Sequence, residues 1–319
     1  MGRDLHVNEL RSESAPHGGR RWWMPKSISY AFGEPIVELA ELEHAPGPFI
    51  SDLDLQQARA TRRVPLMDVP ASELEACREP AGFLVHQPRS GSTLAARMLA
   101  AVPGVACVIE PEPINQLLSR GAPEALRAEW LQRLVRLYGA VPGAYPRIVV
   151  KLSSWAVLRA PLFAEAFPDA RHCFVHRDPL EVLVQLLDRP TGWMAPHARP
   201  LVLGHPGAST PMTEEEYCAR ALGRFLCLAA DCERMQTLAY EDIPAGVPAA
   251  AQQFLAFTVT PADADAMLRV ARFDSDDWEL SRVYRHDGDR LRRRATPEAR
   301  RLVERFASAE RRRLDRTGG

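Results

Sequence analysis

From residue 81 onward the sequence predicts an α/β fold of three layers, a central parallel sheet flanked by helices. Two observations carry this. Short apolar runs at 82–86, 105–110, 147–152 and 172–177 alternate with segments whose apolar residues recur at helical spacing. Each run is apolar nearly throughout, as a strand buried on both faces requires, and Pro, Gly or polar residues bound it. Strands separated by helices fold as βαβ units, and such sheets bind ligands at the carboxyl ends of their strands.

The first strand of this core is followed by the organising feature of the chain. Residues 82–93 read GFLVHQPRSGST and run straight into LAARMLAA. Gln87, Pro88 and Gly91 end the strand, and Ser92 or Thr93 can start a helix. Backbone N–H groups of such a loop and of the first helical turn point at one spot, where the positive end of the helix dipole adds its field. Arg89 supplies a forked cation there, and Ser90, Ser92 and Thr93 supply hydroxyls. A phosphate-like anion is the expected occupant. A Walker A loop would carry Lys and a metal-binding hydroxyl after its second Gly. No Lys follows Gly91, so the loop predicts a P-loop NTPase-like fold that grips a shorter ligand without a metal.

Composition narrows the function classes. The 319 residues are 46% hydrophobic and 25% charged, ordinary for a folded chain, and the net charge of −1 argues against a general nucleic-acid binder. Forty residues are basic, yet only Lys26 and Lys151 are lysines. Lys151 therefore stands out as a compact ammonium on an arginine background. The six cysteines include no CxxC pair and several lie in apolar runs, which predicts buried free thiols. With no signal-type apolar segment and no run of 18 apolar residues, a reducing, cytoplasmic setting is expected and no membrane partner.

Residues 1–25 are polar and Arg/Gly-rich and predict a flexible tail. Residues 26–80 predict a leader or cap packed on the core, with an acceptor-contacting cap as the alternative, and 81–319 form the α/β domain. Within that domain, PEPINQLL, the stretch 122–140 and SWAVLRAPLFAEAF predict helices, and Pro179 opens LEVLVQLL. Residues 188–212, rich in Pro and Gly and carrying Trp193, Met194, His197 and His205, predict an acceptor loop rather than a passive connector. Thr213 caps the next helix, and 296–316 predict a C-terminal helix. Four charged features fall at predicted strand ends: the Arg89 loop, Glu110, Lys151 and Arg177. One alone is usually a solvated loop residue, but four at the same end of one sheet predict a shared crevice.

The ordered set PRSGST, EPEPIN, VVKLSS and AFPDARHCFVHRDPLEVL resembles the sulfotransferases that use 3′-phosphoadenosine-5′-phosphosulfate (PAPS), in particular the bacterial group related to tyrosylprotein and carbohydrate sulfotransferases. The resemblance is close over about residues 82–187, and the segments LAYEDI and WELSRVYRHDGDRLRRRATPEARRLVERF are similar to later parts of that family. It implies that Arg89, Ser90, Gly91, Ser92 and Thr93 hold the 5′-phosphosulfate and that Arg177 holds the 3′-phosphate. Gln185 stands where the family has a Ser on the same phosphate, and Arg290, Arg292, Arg293 and Arg294 are further candidates there. Glu110 takes the position of the catalytic glutamate, with Glu112 as its rival, and burial in a crevice would suit it as a base. Lys151 takes the position of the lysine that stabilises the leaving phosphate, with Ser153 and Ser154 as possible helpers. The acceptor, a small molecule, carbohydrate or peptide hydroxyl, stays open, as does the oligomeric state.

Other readings are weaker. HRDPLEVLV begins like a kinase catalytic loop, but Leu183 holds the Asn position and no DFG triplet occurs. His86 and His176 sit in or beside apolar strands and read as core residues, and no metal-ligand spacing is present. A P-loop phosphotransferase and a non-catalytic nucleotide sensor on the same fold remain the alternatives.

Overall fold

A computed structural model describes residues 22–42, 46–52, 55, 58, 61–119, 124–139, 145–204, 212–233, 235–273 and 283–317. The chain divides into two compact units. The first holds Met1–Phe83, Leu99–Leu152 and Pro161–Ala170; the second holds Leu84–Met98, Ser153–Ala160 and Arg171–Gly319.

In the first unit, β1 (Trp22–Ala31), β2 (Glu34–Leu42) and β4 (Thr61–Pro65) form an antiparallel sheet in the order β1-β2-β4. Along β2, Pro35, Val37 and Leu39 are buried while Ile36 and Glu38 between them are partly exposed, the period-two pattern of a sheet with one covered face. β1 begins at Trp22, inside the stretch expected as tail, whose first 21 residues lie outside the described ones. Strands β3 (Phe49–Ile50), β6 (Val105–Ile109) and β7 (Arg147–Lys151) pair in parallel, and Ile109 lies opposite Lys151. Phe83 packs edge-on against Phe163, ring centres 4.9 Å apart, and against Phe167 at 5.4 Å.

In the second unit, β8 (Arg171–His176) pairs in parallel with β9 (Met235–Ala239). With β5 (Pro80–His86), six strands order as β3-β6-β7-β5-β8-β9, and helices accompany them as the sequence predicts. The strand that feeds the anion loop thus has an interior position. From Gly82 to its end it is fully buried, as a strand covered on both faces must be. Asp178 caps the helix Pro179–Asp188 by accepting from the Leu180 N–H at 2.8 Å. Thr213 caps Glu214–Ala230 by accepting from Glu216 N–H at 3.1 Å.

Several elements differ from expectation. The stretch 154–167 is a 3-10 turn, Ser154–Arg159, followed by the helix Ala160–Ala166. Pro161 has no N–H to donate to the preceding turn, so it is accommodated at a helix start. The C-terminal helix is two, Pro297–Phe306 and Ser308–Thr317, interrupted at Ala307. The late strand stops at Ala239, and Tyr240–Asp242 form a turn instead of its end. In the segment 188–212, Trp193 and Met194 are buried: the Trp193 ring meets Phe225 at 5.4 Å and Tyr217 at 5.9 Å, and the Tyr217 hydroxyl donates to the Trp193 carbonyl at 2.7 Å. His205, with 205–211, lies outside the described residues. None of the six cysteines is in a disulfide; Cys107, Cys173 and Cys218 are buried, whereas Cys77, Cys227 and Cys232 are half-buried, which corrects the expectation for those three. No helix among the described residues is long and apolar enough to cross a membrane.

Phe83→Ala removes the ring on which Phe163 and Phe167 pack, at a fully buried position. The variant should lose about 3–5 kcal/mol of unfolding free energy, measured as a lower denaturant midpoint at unchanged slope.

Candidate functional site

The loop after β5 is tied to the end of β8. Gln87 N–H donates to the Val175 carbonyl at 2.9 Å, and the Gln87 side-chain oxygen accepts from the Arg177 N–H at 2.9 Å. Ser90 Oγ donates back to the Gln87 carbonyl at 2.7 Å and is fully buried. Arg89 (φ 58) and Gly91 (φ 82) both take left-handed backbone conformations, and the helix Ser92–Ala100 starts directly after them. A Cβ on Gly91 would stand 3.0 Å from the Tyr240 ring and 3.2 Å from Ile243, so the loop requires glycine there twice over, for its φ and for its packing. The first turn of that helix has N–H groups without intrahelical acceptors, with Ser92 buried and Thr93 half-buried beside them. Arg89 donates through Nη2 to the Arg189 carbonyl at 3.2 Å, while its Nε is buried without a partner.

Arg177, directly after β8, is buried to 3% side-chain exposure. Its Nε donates to Glu181 Oε2 at 2.7 Å, its Nη2 to Asp287 Oδ1 at 2.5 Å, and its Nη1 to the Arg89 carbonyl at 3.4 Å. The guanidinium also lies 3.8 Å from the centre of the Tyr240 ring. Gln185 reaches the same aspartate: its amide Nε2 donates to Asp287 Oδ2 at 3.3 Å. Arg290 adds an ion pair to Asp287 at 3.0 Å. Arg292 pairs with Glu181 and with Asp289, the latter at 2.7 Å, and Arg294 forms a two-pronged pair with Asp188 at 2.7 and 2.8 Å. Arg293 is exposed. Of the four candidate arginines, only Arg290 therefore joins Arg177 and Gln185 on a common group.

The first unit carries the other candidates. Lys151 ends β7 with its side chain fully buried, and its ammonium pairs with Glu110 Oε1, just beyond β6. Parallel pairing of β6 with β7 brings the two residues close, because the Glu110 N–H continues the ladder to the Lys151 carbonyl at 2.7 Å. Glu110 has a positive φ of 45°, which turns the chain out of the strand. Its side chain is 43% exposed, so the expected burial of this carboxylate is corrected: the cation is the buried partner. Glu112 starts the next helix, where its N–H donates to Asp52 at 3.2 Å and its carboxylate accepts from Asn115 at 3.4 Å. In the second unit, Ser154 is buried, and Ser153 makes no side-chain cap for the turn that follows it.

Four participants escaped the sequence reading in these roles: Asp52, Glu181, Tyr240 and Asp287. Glu181 stands four residues after Arg177, a spacing that can pair opposite charges and could have been read. Asp52 and Asp287 lie 60 and 110 residues from their partners Glu112 and Arg177 and carry no local signal. His176 fits its core reading: burial, then the Arg311 charge, pushes it down to about 3, and its ring stacks on Phe174.

Burial pushes the Asp52 carboxyl up to about 6, and the nearby carboxylates of Glu112 and Glu110 act in the same direction. Between about pH 4 and pH 6 the folded protein then holds a proton that the unfolded chain has lost, so this group favours folding at low pH and that gain is lost as pH rises. Relative to the parent, Asp52→Asn should therefore have a more favourable change in melting temperature at pH 7 than at pH 4, measured by parallel thermal scans.

No protein-family model and no curated protein matches this sequence. Among solved structures, the chain is similar to the sulfotransferase STF9 of Mycobacterium avium, with 14% identity, 62% of this chain and 69% of that one covered, and a TM-score of 0.40. It is similar to the sulfotransferase domain of the Synechococcus PCC 7002 olefin synthase, with 19% identity, 72% and 95% covered, and a TM-score of 0.42. A third is mouse sulfotransferase SULT7A1 complexed with PAP, with 14% identity, 77% and 89% covered, and a TM-score of 0.43. Values this low carry no assignment, and function has to be read from the residues.

Proposed function

We propose that this chain is a sulfotransferase that moves the sulfuryl group of PAPS to a hydroxyl acceptor by in-line displacement. The observation that carries this reading is the Lys151–Glu110 pair: one buried ammonium and one solvent-reaching carboxylate at the ends of adjacent parallel strands. Sulfuryl transfer to an alcohol needs those two functions. A base must take the acceptor proton as its oxygen bonds to sulfur, and a cation must offset charge on the bridging oxygen as the sulfur–oxygen bond to phosphate breaks. Glu110 is assigned the proton and Lys151 the leaving oxygen. The loop 89–93 is assigned the 5′-phosphosulfate, which its left-handed turn and first-turn N–H groups suit, and Arg177 with Gln185 the 3′-phosphate.

In this reading catalysis is mainly positioning plus charge stabilisation, as in phosphoryl transfer, with arginine and lysine supplying the positive charge. The buried Lys151 favours this role. A compact ammonium aims at one atom, and held out of water its field is screened little. In the resting pair each group also satisfies the other, so a base and a cation stand ready without either being left unpaired.

Titration calorimetry with adenosine 3′,5′-bisphosphate, ATP and ADP tests the donor. Preference for the bisphosphate is expected, and an ATP preference that requires Mg²⁺ would overturn the reading. Glu110→Gln tests the base. Transfer in the presence of PAPS and an acceptor panel should fall by roughly 10²- to 10⁴-fold while affinity for the bisphosphate stays close to that of the parent. Full activity in this variant would remove Glu110 from the role.

A further inference from the structure

The donors assigned to the 3′-phosphate already hold an anion of the protein's own. Arg177 Nη2 (2.5 Å), Gln185 Nε2 (3.3 Å) and Arg290 Nη2 (3.0 Å) converge on the two carboxylate oxygens of Asp287. Two guanidinium groups and an amide around one small anion are the donor set of a phosphate site. Neutralising Arg177 does not by itself call for Asp287, because Glu181, buried to 2% exposure on the helix that follows, already pairs with it at 2.7 Å.

The local chain offers Asp287 a different task, which it does not perform. It is the N-cap residue of the helix Gly288–Arg294, a position where aspartate ordinarily accepts a hydrogen bond from the first turn, yet its side chain makes no cap. The carboxylate is turned instead toward Arg177 and Gln185. The next residue fixes this placement: a Cβ on Gly288 would lie 2.6 Å from Glu181 Oε1, so the absence of a side chain lets the backbone close down on the Arg177–Glu181 pair. Burial works against ionisation of Asp287, but Arg177 and Arg290 hold its carboxyl below the usual range, which keeps it an anion. At 26% side-chain exposure it is reachable from solvent, whereas Glu181 is not.

We propose that Asp287 is an internal competitor for the 3′-phosphate: its carboxylate occupies the Arg177, Gln185 and Arg290 donors and has to swing away for a 3′-phosphorylated nucleotide to bind. The proposal rests on the sulfotransferase reading, from which the ligand class comes. Arriving phosphate exchanges with the carboxylate, so the donors pass from one anion to another and the buried guanidinium is never left unsatisfied. Binding of a 3′-phosphorylated nucleotide is weakened by the free energy of displacing Asp287, whereas a nucleotide without that phosphate leaves the carboxylate in place.

The test is titration calorimetry on the full chain, parent and Asp287→Asn, with adenosine 3′,5′-bisphosphate and with adenosine 5′-monophosphate. Removing the charge should tighten the bisphosphate by about tenfold or more, the scale of one charge-assisted contact, and leave the monophosphate unchanged. Asp287→Ser, which keeps a small polar residue at the cap, should behave alike and serves if the amide variant does not fold. Bisphosphate binding to the parent with equal or weaker binding to the folded variants would overturn the competitor role and make Asp287 a brace for Arg177. Equal tightening of both nucleotides would also overturn it. Failure of parent and variants alike to bind the bisphosphate would overturn the sulfotransferase reading together with the proposal.

Discussion

Arg177 is the residue around which the second unit is arranged. A guanidinium at 3% exposure has lost its water, and a buried charge left unpaired costs several kcal/mol, so every one of its nitrogens has to find an acceptor. It finds them in the helix that follows its own strand, in the carbonyl of Arg89 on the anion loop, and in Asp287 from near the chain end. Tyr240 closes one face of the guanidinium and, through the same ring, limits what can stand at Gly91. The backbone of Arg177 contributes as well, since its N–H holds the side chain of Gln87 at the base of the loop. One desolvated cation thus links the loop geometry, the helix Pro179–Asp188 and the segment that carries Asp287 and Arg290.

The first unit solves a related problem with a different residue. Lys151 is fully buried in a chain that has only one other lysine, and its partner Glu110 keeps nearly half of its side-chain surface. The asymmetry has chemical content. Where Arg177 is braced on several sides, Lys151 has a carboxylate partner that solvent or a ligand can reach, so the pair can open at lower cost than one buried at both ends. A braced arginine suits static recognition of a phosphate, and a lysine with an accessible partner suits a group that must respond as charge moves.

The turn at 87–91 and strands β5 to β8 were legible because each depends on short-range pattern: apolar runs of strand length, Pro and Gly at their ends, and cap residues such as Asp178 and Thr213 that satisfy N–H groups two or three positions on. The three-stranded sheet β1-β2-β4 was not. Pro25 and Pro35 interrupt its hairpin strands, and the third strand β4 joins β2 from a stretch about 20 residues further along the chain, so the weak alternation of each strand did not by itself announce a sheet. Trp193 and Met194 misled for a related reason: a Pro- and Gly-rich segment reads as an open loop until an apolar wall such as Tyr217 and Phe225 is there to bury it.

The sequence by itself determined the α/β class, the turn at 87–91 and the identity of the charged residues at the strand ends, because strand, turn and cap preferences are settled by neighbours a few positions apart. Tertiary structure alone decided which of those charges are out of water and what each one faces. Burial of Lys151 against an exposed Glu110, and the capture of Arg177 and Gln185 by an aspartate from another part of the chain, arise from desolvation and pairing at long range. Those energies exist only once the chain has closed on itself, which is why Arg177 and Gln185 could be singled out in the sequence and the carboxylate that they share could not.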